Sequence, residues 1–186
     1  MPPKVKITKQ DIIEAALTLV REEGADAINA RRIAKALSCS TQPIFSNFAT
    51  MEALSNALLD AAYTCYLGFL KREVEEGKYP PYKAFGMAYI RFAEEERGLF
   101  RFLFMRDRKG EALIPTPDFR ESVVMIEKAN GISRKTAEKL HMEMWVTVHG
   151  IATMIATAFF TPSREAVSEM ISDIYQGLCK KHKEGI

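Results

Sequence analysis

Apolar and polar positions along the 186 residues alternate with a helical period through most of the chain. Ile12, Ile13, Ala16, Leu17 and Val20 make the first stripe. Thr8, with Asp11 three residues on, opens it at capping-box spacing, and Gly24 closes it. Asn29 is placed to cap a second, short stripe of Ile33, Ala34 and Leu37. Ser38-Cys39-Ser40 interrupts the pattern, and Ser40 is expected to cap a third helix. Pro43 falls in the first turn of that helix, where its missing N–H costs little. Ile44 and Phe48 then face inward, leaving Thr41, Gln42, Ser46 and Asn47 to point outward. Thr50 opens a long helix carrying Leu54, Leu58, Ala61, Cys65 and Phe69, which runs almost to Glu76-Gly77.

Pro80-Pro81 breaks the chain, and Tyr82, Phe85, Tyr89 and Phe92 line one face of the following helix. Leu99 to Met105 is a compact aromatic cluster. Core packing explains most of it, and part can wall a ligand cavity, since such cavities are apolar and aromatic with few polar groups. Asp107 to Asp118 reads as an exposed loop, and Phe119 to Ala129 as a short helix. Ser133 should cap a long helix reaching about Phe160, apolar on two faces. Met142, Trp145, His149, Ala152 and Ala156 share one face; Met144, Val148, Ile151, Ile155 and Phe159 share the other. A helix of that kind must be covered on both sides, one by its own core and one by a partner. The last helix, Ser163 to about Lys180, carries Val167, Ile171, Ile174 and Leu178. It can pair with its neighbour in a four-helix contact across a twofold axis. The expected fold is all-α with about nine helices: a three-helix helix-turn-helix domain over residues 1–50 and a larger helical bundle over 51–186.

Composition adds constraints. Hydrophobic residues at 47% support a real core, and 27% charged residues a water-facing surface. The 26 basic and 24 acidic side chains leave a net charge of +2, so any polyanion site must rest on local charge. Cys39, Cys65 and Cys179 are too far apart for a disulfide framework or zinc site, which suits reduced thiols in a cytoplasm. No membrane-spanning run or signal-peptide core is read, and no cofactor is expected. An enzyme finds little support. His141, His149 and His182 are scattered, the first two about 12 Å apart along a helix, and no metal-binding or nucleophile motif is present.

The chemistry sits between Asn29 and Phe48. Two short helices with small residues at the turn suit a helix-turn-helix, whose second helix enters the major groove of duplex DNA. Gln and Asn can pair with the edge of adenine, and Ser or Thr with several bases or a phosphate. Lys4, Lys6 and Lys9, in or beside the basic N-terminal arm, can reach phosphates. A plain helical hairpin with a polar outer side fits the same features.

From about Thr8 to Leu58 the chain resembles the DNA-binding domain of the TetR/AcrR family of bacterial transcriptional regulators. That family runs Thr-x-Arg-x-Ile-Ala, then Gly-Val-Ser, then Thr-Leu-Tyr-x-x-Phe, with a Lys opening the next helix. Here Arg31, Ile33, Ala34, Ser40 and Phe48 match outright, and Cys39, Ile44 and Phe45 in kind. Ser38 replaces the turn glycine, Phe45 lacks the tyrosine hydroxyl, and Met51 lacks the lysine ammonium; Arg32, Lys35 and the N-terminal lysines can replace some of that charge. Trp145-Val146-Thr147-Val148-His149-Gly150 is similar to the Trp-x-x-x-His-Gly signature of one class of TetR-family C-terminal domains.

The resemblance implies a homodimer, paired through the last two helices, that binds an operator in double-stranded DNA. A small hydrophobic or aromatic effector would release it, making it a repressor. The DNA-facing residues expected are Lys4, Lys6, Arg31, Arg32, Ser40, Thr41, Gln42, Pro43, Phe45, Ser46 and Asn47. The effector is expected near Tyr89, Phe102, Met105, Met142, Trp145 and His149. The alternative is an all-helical interaction protein whose helix-turn-helix no longer binds DNA, as the losses at Phe45 and Met51 would allow.

Overall fold

The computed structural model describes residues 7–107 and 117–184, and these residues form nine α-helices and no strand. In order they are α1 Lys9–Glu23, α2 Ala30–Ala36, α3 Gln42–Asn47, α4 Met51–Glu75, α5 Pro81–Glu95, α6 Arg97–Phe104, α7 Pro117–Asn130, α8 Arg134–Ala156 and α9 Arg164–Glu184. A short 3-10 turn, Ala25–Ala27, separates α1 from α2. Two compact units emerge, Met1–Leu67 with Glu96–Arg106, and Gly68–Glu95 with Asp107–Ile186. Lys4, Lys6 and most of the expected Asp107–Asp118 loop lie outside the described residues.

In the first unit the caps read at Thr8 and Asn29 form as expected. Thr8 and Asp11 exchange both bonds of a capping box, and Gly24 ends α1 at φ 86°. The Asn29 side chain accepts the Arg32 N–H at 3.0 Å. The turn between α2 and α3 is a Schellman motif: Cys39 N–H bonds Ala34 C=O at 2.9 Å and Ser38 N–H bonds Lys35 C=O at 3.1 Å. Its left-handed position is Ser38, at φ 51°, where the family pattern has glycine. That substitution costs roughly 1 kcal/mol of backbone strain. Ser40 is not the cap of α3. The helix starts one residue later, with Thr41 C=O receiving the N–H groups of Ile44 and Phe45 and no side chain capping the turn.

Ile12, Ala16, Val20, Ile33, Ile44, Leu54 and Leu58 are fully or almost fully buried and form the centre of this unit. The aromatic cluster after Gly98 is a true helix, α6, and buries Leu99, Phe100, Phe102 and Leu103. It enters against the end of α1. A Cβ on Gly98 would lie 2.5 Å from Val20 O and 2.8 Å from Arg21 Cα, so only glycine permits this approach. Arg21 fixes the same junction through Glu96 at 2.8 Å, an ion pair that raises the guanidinium pKa.

The second unit packs α5 against α8, with α7 and α9 alongside. Ala84, Met87, Ala88 and Ile90 of α5 are buried with Ala137, Leu140, Met144, Val148, Ile151 and Ile155 of α8. Ser133 and Ser163 cap α8 and α9 through side-chain oxygens 3.2 Å from Thr136 N and Ala166 N. α8 stops at Ala156 rather than near Phe160. Ala158 takes φ 58°, and the Phe159 N–H returns to Met154 C=O at 3.0 Å. Of the two apolar faces expected on α8, Met144, Val148, Ile151 and Ile155 are interior but Phe159, beyond the helix end, is exposed; on the other, Ala152 and Ala156 are buried while Met142 and Trp145, with neighbouring Val146, remain open.

One charged group is buried with the core of this unit. Glu73, in the last turns of α4, has no exposed surface, and its carboxylate takes Arg164 Nη2 at 2.5 and 2.6 Å and Arg91 Nη1 at 3.3 Å. Arg91 also reaches Glu76 at 2.9 Å and Glu95 at 2.6 Å. The start of α9 and the middle of α5 are thus tied to the end of α4 by charge.

Candidate nucleic-acid interface and effector site

The outer side of α3 is built on its inner one. Ile44 and Phe48 are buried, which turns Gln42, Phe45 and Ser46 outward; Thr41 and Pro43 are half-buried at the start of the helix. Ser46 Oγ donates to Gln42 C=O at 2.9 Å, leaving its lone pairs available, and Gln42 projects without a protein partner among the described residues. Asn47 departs from the expectation. Its amide is turned back, donating to Pro43 C=O at 2.8 Å and to Ile7 C=O at 3.3 Å. An amide whose N–H groups are spent on its own backbone cannot also donate to a base, so Asn47 braces α3 against the start of α1.

α3 carries no charge, so cations must come from its surroundings. Arg31 and Lys35 lie one turn apart on the exposed side of α2. Arg32 is exposed too, but its guanidinium is engaged by the Glu23 carboxylate at the end of α1. The Lys9 ammonium lies 5.5 Å from the Phe48 ring centroid, at the far end of α3 from Ser40. Lys9 is the one N-terminal lysine of the three that the described residues include.

In the second unit, the expected effector residues divide. Tyr89 is buried on α5, and its hydroxyl meets His149 Nδ1 at 2.9 Å. Trp145 stacks on the face of that imidazole, ring centroids 5.2 Å apart and planes 6° from parallel. Burial lowers the His149 pKa below 6.5, favouring the neutral ring in this hydrogen bond with tyrosine. Met142 and Trp145 are about half exposed, so they flank this contact from the open side of α8. Phe102 and Met105 belong to α6 and its end, in the first unit. The sequence reading missed a second rung on the same seam. Tyr82 hydroxyl meets His141 Nδ1 at 3.0 Å, Phe119 lies edge-on to that imidazole at 4.6 Å, and Asn130 donates to the neighbouring Tyr175 hydroxyl at 2.7 Å. The seven-residue step from Tyr82 to Tyr89, beside the eight from His141 to His149, was the available signal.

Among the described residues no helix is long and apolar enough to cross a membrane, and no group of three His, Cys, Asp or Glu side chains could hold a metal ion.

The model of the tetracyclin-repressor-like C-terminal domain matches residues 82–174, half of the chain and both Tyr–His pairs of the seam. The chain belongs to the TetR family of transcriptional regulators. Solved structures agree on the fold. A protein of unknown function from Rhodococcus sp. RHA1 superposes with a TM-score of 0.74 at 21% identity, over 96% of this chain and all of the other. A TetR-like transcriptional regulator from the same organism gives 0.67 at 13% identity, over the full length of both. A TetR variant from Acinetobacter baumannii AYE, in complex with minocycline, gives 0.61 at 20% identity over 95% and 99%. No protein of curated function matches the sequence. Within the family's pattern, the Trp145–His149 pair now has a physical account: the indole covers the imidazole that a buried tyrosine holds in place.

Proposed function

We propose that this TetR-family regulator binds operator DNA as a homodimer, reads it with α3, and acts as a repressor that an aromatic or hydrophobic effector releases. The observation that carries the DNA reading is the two-sided α3: Ile44 and Phe48 buried beneath, Gln42 and Ser46 exposed above. Gln42 is the base reader, with Ser46, Thr41 and Ser40 beside it. Arg31, Lys35 and the N-terminal lysines contact phosphates, while Pro43 and Phe45 pack against the backbone of the groove; Arg32, also expected at a phosphate, is held by Glu23 instead. Residues 1–50 act as the reading domain and 51–186 as the effector and dimer domain.

The open faces of α8 and α9 support the twofold contact. Met142 and Val146 are exposed, and Ile174 and Leu178 only half-buried, a cost that a second copy of the same surface removes. Tyr89, His149 and Trp145 form the effector contact nearest this surface. A solved structure of the same fold, the TetR variant from Acinetobacter baumannii AYE, holds minocycline. The effector shifts the population only through tighter binding to the conformation that does not fit DNA.

The experiment is selection of a preferred duplex from a random-sequence pool, followed by titration with wild-type protein and Gln42→Ala at fixed salt. We expect Gln42→Ala to lose about 1–3 kcal/mol of discrimination at the base it reads. Equal affinity and equal preference in the two proteins would rule Gln42 out as a reader.

A further inference from the structure

The charges around the helix-turn-helix are paired in an unexpected order. Glu23 stands at the C-terminal end of α1 and Arg32 in the first turn of α2, so each charge is at the wrong end of its own helix for the macrodipole. Neither is placed for the stability of the helix that carries it, yet the two side chains meet. Both are about two-fifths exposed, so the contact is open to water and to exchange. Arg31 and Lys35, on the same short helix, have no such carboxylate among the described residues.

We infer that Glu23 is an affinity-setting residue: its carboxylate occupies Arg32 in the place of a DNA phosphate, so that Arg32 is withheld from the operator. The inference rests on the DNA-binding function proposed above. A carboxylate and a phosphate oxygen offer the same charge-assisted acceptor to a guanidinium. To recruit Arg32, DNA must displace Glu23 and leave an unpaired anion beside its own backbone. The unreserved cations Arg31 and Lys35 therefore carry the phosphate contacts of α2. The arrangement keeps binding weak enough for an effector to reverse, on a recognition helix that has no charge of its own.

The test uses the full chain and the duplex that the wild-type protein selects. Glu23→Gln, Arg32→Ala and the double variant are titrated against it from low to high salt, after thermal melts confirm that all are folded. Glu23→Gln should bind about fivefold tighter, with a log–log salt slope steeper by about 0.9, one added phosphate contact. Arg32→Ala alone should change affinity less than about twofold, and the double variant should return to the wild-type slope. An unchanged Glu23→Gln affinity overturns the inference, as does a gain that persists without Arg32, which would reflect only relief of general repulsion. If the wild-type protein itself binds no duplex with a salt-dependent affinity, the DNA-binding function fails, and that result is distinct from a wild type that binds while Glu23→Gln matches it.

Discussion

Replacing Glu73 by alanine removes the only carboxylate that Arg164 touches among the described residues, and one of three that hold Arg91. Deleting one member of a buried ion pair costs about 3–5 kcal/mol, because the partner keeps its charge without its counter-charge. Two features of this site set the value at the low end. Arg91 retains Glu76 and Glu95, and the Arg164 side chain is one-third exposed, so water can reach it once the carboxylate is gone. About 3 kcal/mol remains. For a chain of this size each kcal/mol moves Tm by about 2–4 °C, so Glu73→Ala should melt about 6–12 °C below wild type. The assay is thermal and urea unfolding at one fixed protein concentration, since the apparent stability of any chain that associates varies with concentration. A double-mutant cycle should give Glu73 a larger coupling to Arg164 than to Arg91, following the 2.5–2.6 Å and 3.3 Å contacts. A loss below about 1 kcal/mol would refute the reasoning, showing that the pair gains no more than its desolvation costs.

Two further outcomes come from the packing and the titration of single groups. Gly98→Ala gains about 1 kcal/mol of helix propensity but drives a methyl into Val20 O and Arg21 Cα, backbone that cannot swing aside. A net loss of about 1–2 kcal/mol in urea unfolding is expected, and a more stable variant would show that α6 does not pack as described. Burial lowers the His149 pKa in the folded chain below its ordinary 6.5. Its contribution to stability is therefore full above about pH 6.5 and is lost as pH falls through the folded value. His149→Phe should flatten that part of the stability profile between pH 7 and 5.5, whereas a parallel profile would place the acid sensitivity elsewhere.

Most helix starts were legible because capping is local, the exception being α3, which begins behind Thr41 without the side-chain cap expected from Ser40. Thr8, Asn29, Thr50, Ser133 and Ser163 each receive an N–H from three residues downstream, so their roles are readable from spacing alone. The end of α8 was not legible for the opposite reason. Ala158 is a strong helix former by propensity, yet it holds the left-handed position that stops the helix. Asn47 was placed outward because a polar side chain next to Gln42 and Ser46 suggests a shared face. Its second acceptor, Ile7 C=O, is forty residues away. Glu73 drew no reading from the sequence, where it stands among the charges from Lys71 to Glu76, and only Arg164, ninety-one residues on, makes it an interior residue. Tyr89 came from helical periodicity and His149 from the family pattern, and the two meet at 2.9 Å.

The central claim, that α3 reads duplex DNA from a symmetric pair of chains, is tested most directly by one titration. A selected duplex is titrated with the full-length protein across a range of salt, with the stoichiometry of the complex measured in the same solutions. The account predicts two chains per duplex, half-sites about 34–36 Å apart or a multiple of that, and affinity that falls linearly in log–log form as salt rises. Equal, weak binding to every duplex, or a single chain per site, would contradict it.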